Sequence, residues 1–220
     1  MGRPGRTTLV SGLLVAVVLG GVQAGAARDS SGEFQRATTA TPQPAPPPND
    51  PIAIDSILWS AERRLRWSDF LARPQLNTIA AAMTSYVLQY EADCDANVFS
   101  FRVVSAFLPE RSWVKGELLM RAGQSDQALR HEQTHFDLSE VHVRKIRRAL
   151  VEMSDPCGRT EQARDAVVSA IIKEDGDAQF RYDRETGHGS LESPQRQWDA
   201  EVARQLSGLS RFGSNARMRR

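Results

Sequence analysis

Between Ser125 and Asp155 the chain carries neither glycine nor proline. Within that stretch Leu129, Phe136, Val143, Ile146 and Leu150 recur at helical spacing, so one face is apolar and the rest is polar. This predicts a single helix of about 25 residues, closed by Pro156 and Gly158. A helix of that length must bury its stripe against something, and the residues before it supply the partner. Ser85 to Glu91 alternates in strand fashion, and Asp93-Cys94-Asp95-Ala96-Asn97 is a turn cluster. Val98 to Phe107 resumes with Phe99, Phe101, Val103, Ser105 and Phe107 on one face, so the two segments read as a hairpin. Ile54 to Trp59 and Ser112-Trp113-Val114 are further short strands, the second expected at a sheet edge. After Pro156, Thr160 to about Lys173 reads as a second helix with Ala163, Val167, Ala170 and Ile171 as its stripe. Gly176, Gly187 and Gly189 predict irregular chain over 176–190. Ser193-Pro194 then opens a last helix through Leu206. Strands precede helices, which is an α+β order: a small N-terminal antiparallel or mixed sheet packed on a long helix, followed by C-terminal helices.

The two ends are of different kinds. Residues 1–26 read as a secretory signal peptide: Arg3 and Arg6 come first, Leu9 to Val22 is apolar apart from Ser11 and interspersed glycines, and Ala24-Gly25-Ala26 offers small residues for cleavage. A membrane-spanning helix needs about 20 apolar residues, more than this run supplies. Secretion or a periplasmic location is therefore expected, with no stable membrane insertion after cleavage. Residues 27–50 form a linker, because Pro42-Gln43-Pro44-Ala45-Pro46-Pro47-Pro48 favours polyproline II and builds no core. The folded unit is residues 51–212, and 213–220 is an arginine-rich tail expected to fray. Lys+Arg number 28 against 27 Asp+Glu, a balance that argues against a dedicated nucleic-acid binder. The two cysteines, Cys94 and Cys157, are too few for a four-cysteine zinc site. In an exported chain the pair is expected as a disulfide tying the hairpin turn to the end of the long helix.

The long helix contains His131-Glu132-Gln133-Thr134-His135. Residues four apart project from one helix face, one turn apart, so both imidazoles can reach a single Zn²⁺ at about 2.0–2.1 Å. Glu132, beside the first of them, is then placed to take the proton of a water that attacks a carbonyl. A catalytic zinc needs a third protein ligand. His142 shares the azimuth, but seven residues of rise put it roughly 10.5 Å along the axis from His135. His188, flanked by Gly187 and Gly189, is the expected third ligand, because glycines let the backbone approach a site closely. Glu174 is the runner-up, and Asp183 and Glu185 are weaker candidates or orienting partners of an imidazole. Tyr182 and His142 are candidate donors to the oxyanion that forms on attack. Glu140 and Arg144, four apart, read as a surface ion pair.

With these motifs on view, the chain resembles a bacterial family of predicted secreted zinc-dependent proteases, also carried as a domain of unknown function. It is similar in Trp67-Ser68-Asp69-Phe70, in Ser112-Trp113, in His131-Glu132-Gln133-Thr134-His135-Phe136-Asp137, and in Tyr182-Asp183 followed by Thr186-Gly187-His188-Gly189. Gln195 with Trp198 fits the family's closing segment. The resemblance spans nearly all of 55–206 and implies a zincin-like fold, with the metal in a cleft below an edge strand. The resulting expectation is a zinc metallopeptidase acting on peptide or protein substrates, with His131, His135 and His188 as ligands and Glu132 as general base. A binding or scaffold protein of the cell envelope with a structural or inert zinc site, and a zinc hydrolase of non-peptide amides, are the alternatives.

Overall fold

The computed structural model describes residues 56–75 and 77–219, and the backbone of 7–17. Thr7–Val17 is β1, Ile57–Leu58 is β2, Ala82–Asp95 is β3, Val98–Phe107 is β4 and Trp113–Val114 is β5. The helices are α1 (Gly116–Leu119), α2 (Ala122–Glu152), α3 (Glu161–Thr186) and α4 (Glu192–Gly208), and Met218–Arg219 is β6.

The expected hairpin is present as β3 and β4, paired from Asp95↔Val98 to Tyr86↔Phe107. Its turn residues Ala96 and Asn97 both have positive φ, 48° and 65°, the backbone that a two-residue turn needs to match strand twist. The described strands form one antiparallel sheet in the order β1-β3-β4-β2, with β5 on β3 and β6 on β4. Alternation sends Tyr86, Leu88, Tyr90, Phe99, Phe101, Val103 and Phe107 to the helix side. There they pack on Phe136, Val143, Ile146 and Leu150 of α2, the stripe read from the sequence. Ser105 shares that side, and its hydroxyl meets that of Ser139 at 2.5 Å.

The α+β order holds, and Cys94 and Cys157 form the disulfide, with Cα atoms 5.7 Å apart. No described helix is long and apolar enough to cross a membrane. The linker 27–50 lies outside the described residues. Within the segment read as a leader, Thr7–Val17 pairs with β3 from Thr7↔Ala92 to Val17↔Ala82. Among the described strands β5 pairs with β3 alone, at Ala82 and Met83, which puts it at a sheet edge as expected, while β1 covers β3 on the opposite side.

Three expectations give way to the structure. First, α3 does not stop near Lys173 but runs through Gly176 to Thr186. Glycine inside a helix costs about 1 kcal/mol, and burial of Asp175, Ala178, Gln179, Tyr182 and Thr186 outweighs it. Second, Glu140 and Arg144 are buried rather than on the surface. Glu140 Oε1 accepts from Arg144 Nε and Arg147 Nη1, each at 2.9 Å. Arg147 also donates to Val103 O, Phe212 O and Asn215 Oδ1, joining α2 to β4 and to the chain end. Third, that anchorage keeps the tail from fraying: Asn215 donates to Trp59 O, and β6 pairs with Ser100 and Phe101.

Candidate metal centre

Every polar residue of the 131–137 motif on α2 is buried, and all but Glu132 are held by side-chain hydrogen bonds. Gln133 accepts from Leu65 N–H at 2.6 Å and donates to Asp137 at 2.7 Å. Asp137 accepts from Trp59 Nε1 and Arg64 Nη1, each at 2.8 Å. These bonds clamp residues 59–65 onto the helix, so the motif's companions serve the fold while its imidazoles serve the site.

His131 and His135 are fully buried with Nε2 atoms 3.0 Å apart. Asp183 of α3 brings Oδ1 to 3.1 Å from one and 3.0 Å from the other. The three atoms form a nearly equilateral triangle. Donors at about 2.0–2.1 Å on a tetrahedral ion lie roughly 3.3 Å apart, so the triangle has the dimensions of a metal-ligand face.

The far side of each ring fixes which nitrogen carries the proton. Gln179 Nε2 contacts two pure acceptors, His135 O and Asp175 Oδ1, each at 3.1 Å, so its Oε1 faces His135 Nδ1 at 2.6 Å. Gln195 Nε2 donates to Asp199 Oδ1 at 2.7 Å, so its Oε1 faces His131 Nδ1 at 2.9 Å. Both Nδ1 atoms are therefore donors, and both Nε2 lone pairs point at the Asp183 oxygen. Three lone pairs at such range repel unless a proton or a metal cation sits among them.

The site's electrostatics agree. Burial and the neighbouring His135 push His131 down to about 4. Burial also pulls His135 down, but the Asp183 and Glu132 carboxylates outweigh it and the ring ends above its ordinary value. Asp183 is raised by burial, yet His135 and the two imidazole bonds outweigh that and hold it far below the carboxylate range. The arrangement has room for one positive charge. Glu132 is wholly buried beside this cluster and neither of its oxygens finds a hydrogen-bond partner of normal geometry. Burial pushes its carboxyl up to about 8, against the pull of His135 and Thr84.

The third corner thus belongs to Asp183, ranked below His188 and Glu174 on sequence. His188 stands one step outside, its Nδ1 3.7 Å from Asp183 Oδ1 and its side chain 41% exposed. It sits in a left-handed run, with φ of 56°, 52° and 80° at Gly187, His188 and Gly189. Gly189 lies against the His131 ring: a Cβ there would come within 2.8 Å of Cγ. Glu174 is exposed and 3.9 Å from Lys145, and Glu185 accepts from Trp198 Nε1, so neither joins the cluster. His142 bonds Leu138 O and Asp175, away from the triangle as its rise requires. Tyr182, expected at the oxyanion, is instead fully buried and stacked on His131, ring centroids 4.5 Å apart. Its hydroxyl meets Gln195, and that contact leaves it supporting the imidazole.

Sequence reading missed Gln179 and the orienting role of Gln195. The signal was Asp175, Gln179 and Asp183, spaced four apart on one helical face. The glycines around them hid it by suggesting a loop.

A family model described as "Bacterial protein of unknown function (DUF922)" matches residues 61–189. The chain belongs to the DUF922 family. The DUF922 segment contains His131, Glu132, His135, Asp183 and His188 and closes at Gly189, the residue packed on His131. Gln195 and Asp199 of α4 lie beyond it. No curated protein and no solved structure matches the chain.

Proposed function

We propose that this DUF922 protein is an exported zinc-dependent peptidase of zincin-like design. Its metal ligands are His131, His135 and Asp183, and its general base is Glu132. The observation that carries the reading is the triangle of lone-pair donors with sides of 3.0–3.1 Å, beside a buried carboxylate whose oxygens find no hydrogen-bond partner of normal geometry. Two neutral imidazoles and one carboxylate are a donor set that zinc takes in hydrolases. A bound Zn²⁺ would supply positive charge that acidifies a water and polarises the substrate carbonyl. Glu132 accepts the proton of the attacking water and returns it to the leaving nitrogen, so that the C–N bond breaks to give an acid and an amine. Asp183 and the two imidazoles hold the charge in place, and the Gly187–Gly189 turn brings His188 to the rim.

The peptide substrate class has support from the sheet. The backbone of Thr7–Val17 lies antiparallel along β3 over eleven residues, with Val15 opposite Thr84, which adjoins Glu132. An extended chain is thus accommodated along the edge next to the base. Removal of residues 1–26 as a leader would free that edge for another peptide.

The test is Glu132→Gln assayed on a peptide library. The expected result is wild-type zinc content with hydrolysis lost; hydrolysis retained by the variant removes Glu132 from the reaction. A second reading, a structural zinc site, is favoured by His188 Nδ1 lying 3.7 Å from the Asp183 oxygen, near enough to become a fourth donor. X-ray absorption on the zinc-loaded protein separates the two, since a structural site shows three imidazoles and no water.

A further inference from the structure

Each metal-facing imidazole is backed by the same device built on a different helix. On α3, Gln179 bonds His135 and is clamped by Asp175, four residues before it. On α4, Gln195 bonds His131 and is clamped by Asp199, four residues after it. In both, an amide stands between imidazole and carboxylate. The carboxylate fixes which way the amide faces, and the amide fixes which nitrogen of the ring is protonated. Asp199 is itself tied back to α2 by the Thr134 hydroxyl at 2.7 Å. Asp175 is wholly engaged, accepting from Tyr86 Oη at 2.6 Å and lying 3.2 Å from His142 Nδ1.

Interposing an amide has an electrostatic consequence. A carboxylate directly on Nδ1–H would add a second negative charge to a site that already contains Asp183. The neutral amide imposes the tautomer without that charge.

We propose that Gln179 and Gln195 are positioning residues, switched to the accepting orientation by Asp175 and Asp199, and that they set the zinc affinity of the site by holding both Nε2 lone pairs toward Asp183. This rests on the metal-centre reading above and is independent of whether the bond cut is a peptide. Outer partners of metal-bound histidines are typically worth about 10–100-fold in metal affinity.

The Gln195–Asp199 pair gives the test, because Asp199 carries fewer other bonds than Asp175. Zinc affinity is measured by chelator competition on the full chain for wild type, Gln195→Leu, Gln195→Glu and the double exchange Gln195→Glu with Asp199→Asn. The Nδ1 proton of His131 is followed by ¹⁵N-resolved NMR of the zinc-loaded protein. Gln195→Leu is expected to bind zinc about 10–100-fold more weakly and to lose the protected Nδ1 proton. Gln195→Glu alone is expected to weaken binding too, because two carboxylates then face each other. The double exchange moves the carboxylate onto Nδ1–H but keeps the wild-type net charge and a donor–acceptor clamp of the same shape, so it is expected to recover the proton signal and the affinity that Gln195→Glu loses. Wild-type affinity in Gln195→Leu, or a double exchange no better than Gln195→Glu, overturns the proposal. Should Gln195→Leu fail to fold, the comparison of Gln195→Glu with the double exchange decides alone. Failure of the metal reading looks different: there wild type itself binds no zinc.

Discussion

Replacing Gly189 by alanine probes how tightly the 187–189 turn is built against the His131 ring. Two costs follow from the geometry. At φ +80° an L side chain is strained, at about 1–2 kcal/mol. The new Cβ would also lie 2.8 Å from His131 Cγ and 3.0 Å from its Cβ, inside any normal contact. The ring is held in place by Tyr182, stacked on it with centroids 4.5 Å apart, and by Gln195 at Nδ1. The turn must therefore move, against the bond from Gln127 Nε2 to Gly189 O at 2.6 Å. Together these are expected to cost about 2–3 kcal/mol, in the range of overpacked core sites. For a domain of this size that lowers Tm by roughly 4–12 °C. Gly176 supplies the control of opposite sign: it lies in mid-helix with nothing within 4 Å of a would-be Cβ. Gly176→Ala is expected to gain about 0.5–1 kcal/mol. Thermal unfolding followed by circular dichroism reads both, and chelator competition reads a zinc affinity lowered at least tenfold in Gly189→Ala. A Gly189→Ala protein with wild-type Tm and wild-type zinc affinity would refute the reasoning about this turn.

Two further perturbations have definite signs. Glu140→Gln leaves Arg144 and Arg147 buried without their counter-charge, so urea unfolding is expected to show a loss of about 3–5 kcal/mol; a loss below 1 kcal/mol contradicts the buried network. Glu132 has its carboxyl pushed up to about 8 from 4.5, so the folded, zinc-free protein holds a proton there that the unfolded chain releases. Stability from this group is present below pH 4.5 and is lost as pH rises through 8. Glu132→Gln removes that loss, so its stability relative to wild type is expected to climb with pH by up to about 1.4 kcal/mol per unit across the window. Urea unfolding of chelator-treated protein at pH 5 and pH 8 checks it, and a difference that is flat or falls with pH contradicts it.

What the sequence disclosed and what it concealed follow from one distinction. Features with a local period were legible. The apolar stripe of α2, the alternation of Val98–Phe107, and the pair of histidines four apart all announce themselves within one element. The disulfide was legible because only one pairing of two cysteines exists. Features that depend on which elements meet were not. Glu140 and Arg144 have the spacing of an ordinary surface pair, and only the contact of Arg147 with β4 and the chain end shows that this side of α2 is covered. Asp183 was underrated because Gly176 suggested a break before it. Tertiary burial overrode that local weakness and carried the helix on, bringing Asp183 under the histidines. His188 was overrated for the complementary reason: its glycines do permit close approach, but Gly189 uses that freedom to lie against His131 rather than to bring His188 into the triangle.

The central claim is that His131, His135 and Asp183 together hold one divalent cation. Elemental analysis of protein purified without chelator tests it most directly, on wild type, Asp183→Ala and His188→Ala side by side. About one zinc per chain is expected in wild type and in His188→Ala, and almost none in Asp183→Ala. Metal-free wild type, or zinc kept by Asp183→Ala and lost from His188→Ala, would contradict it.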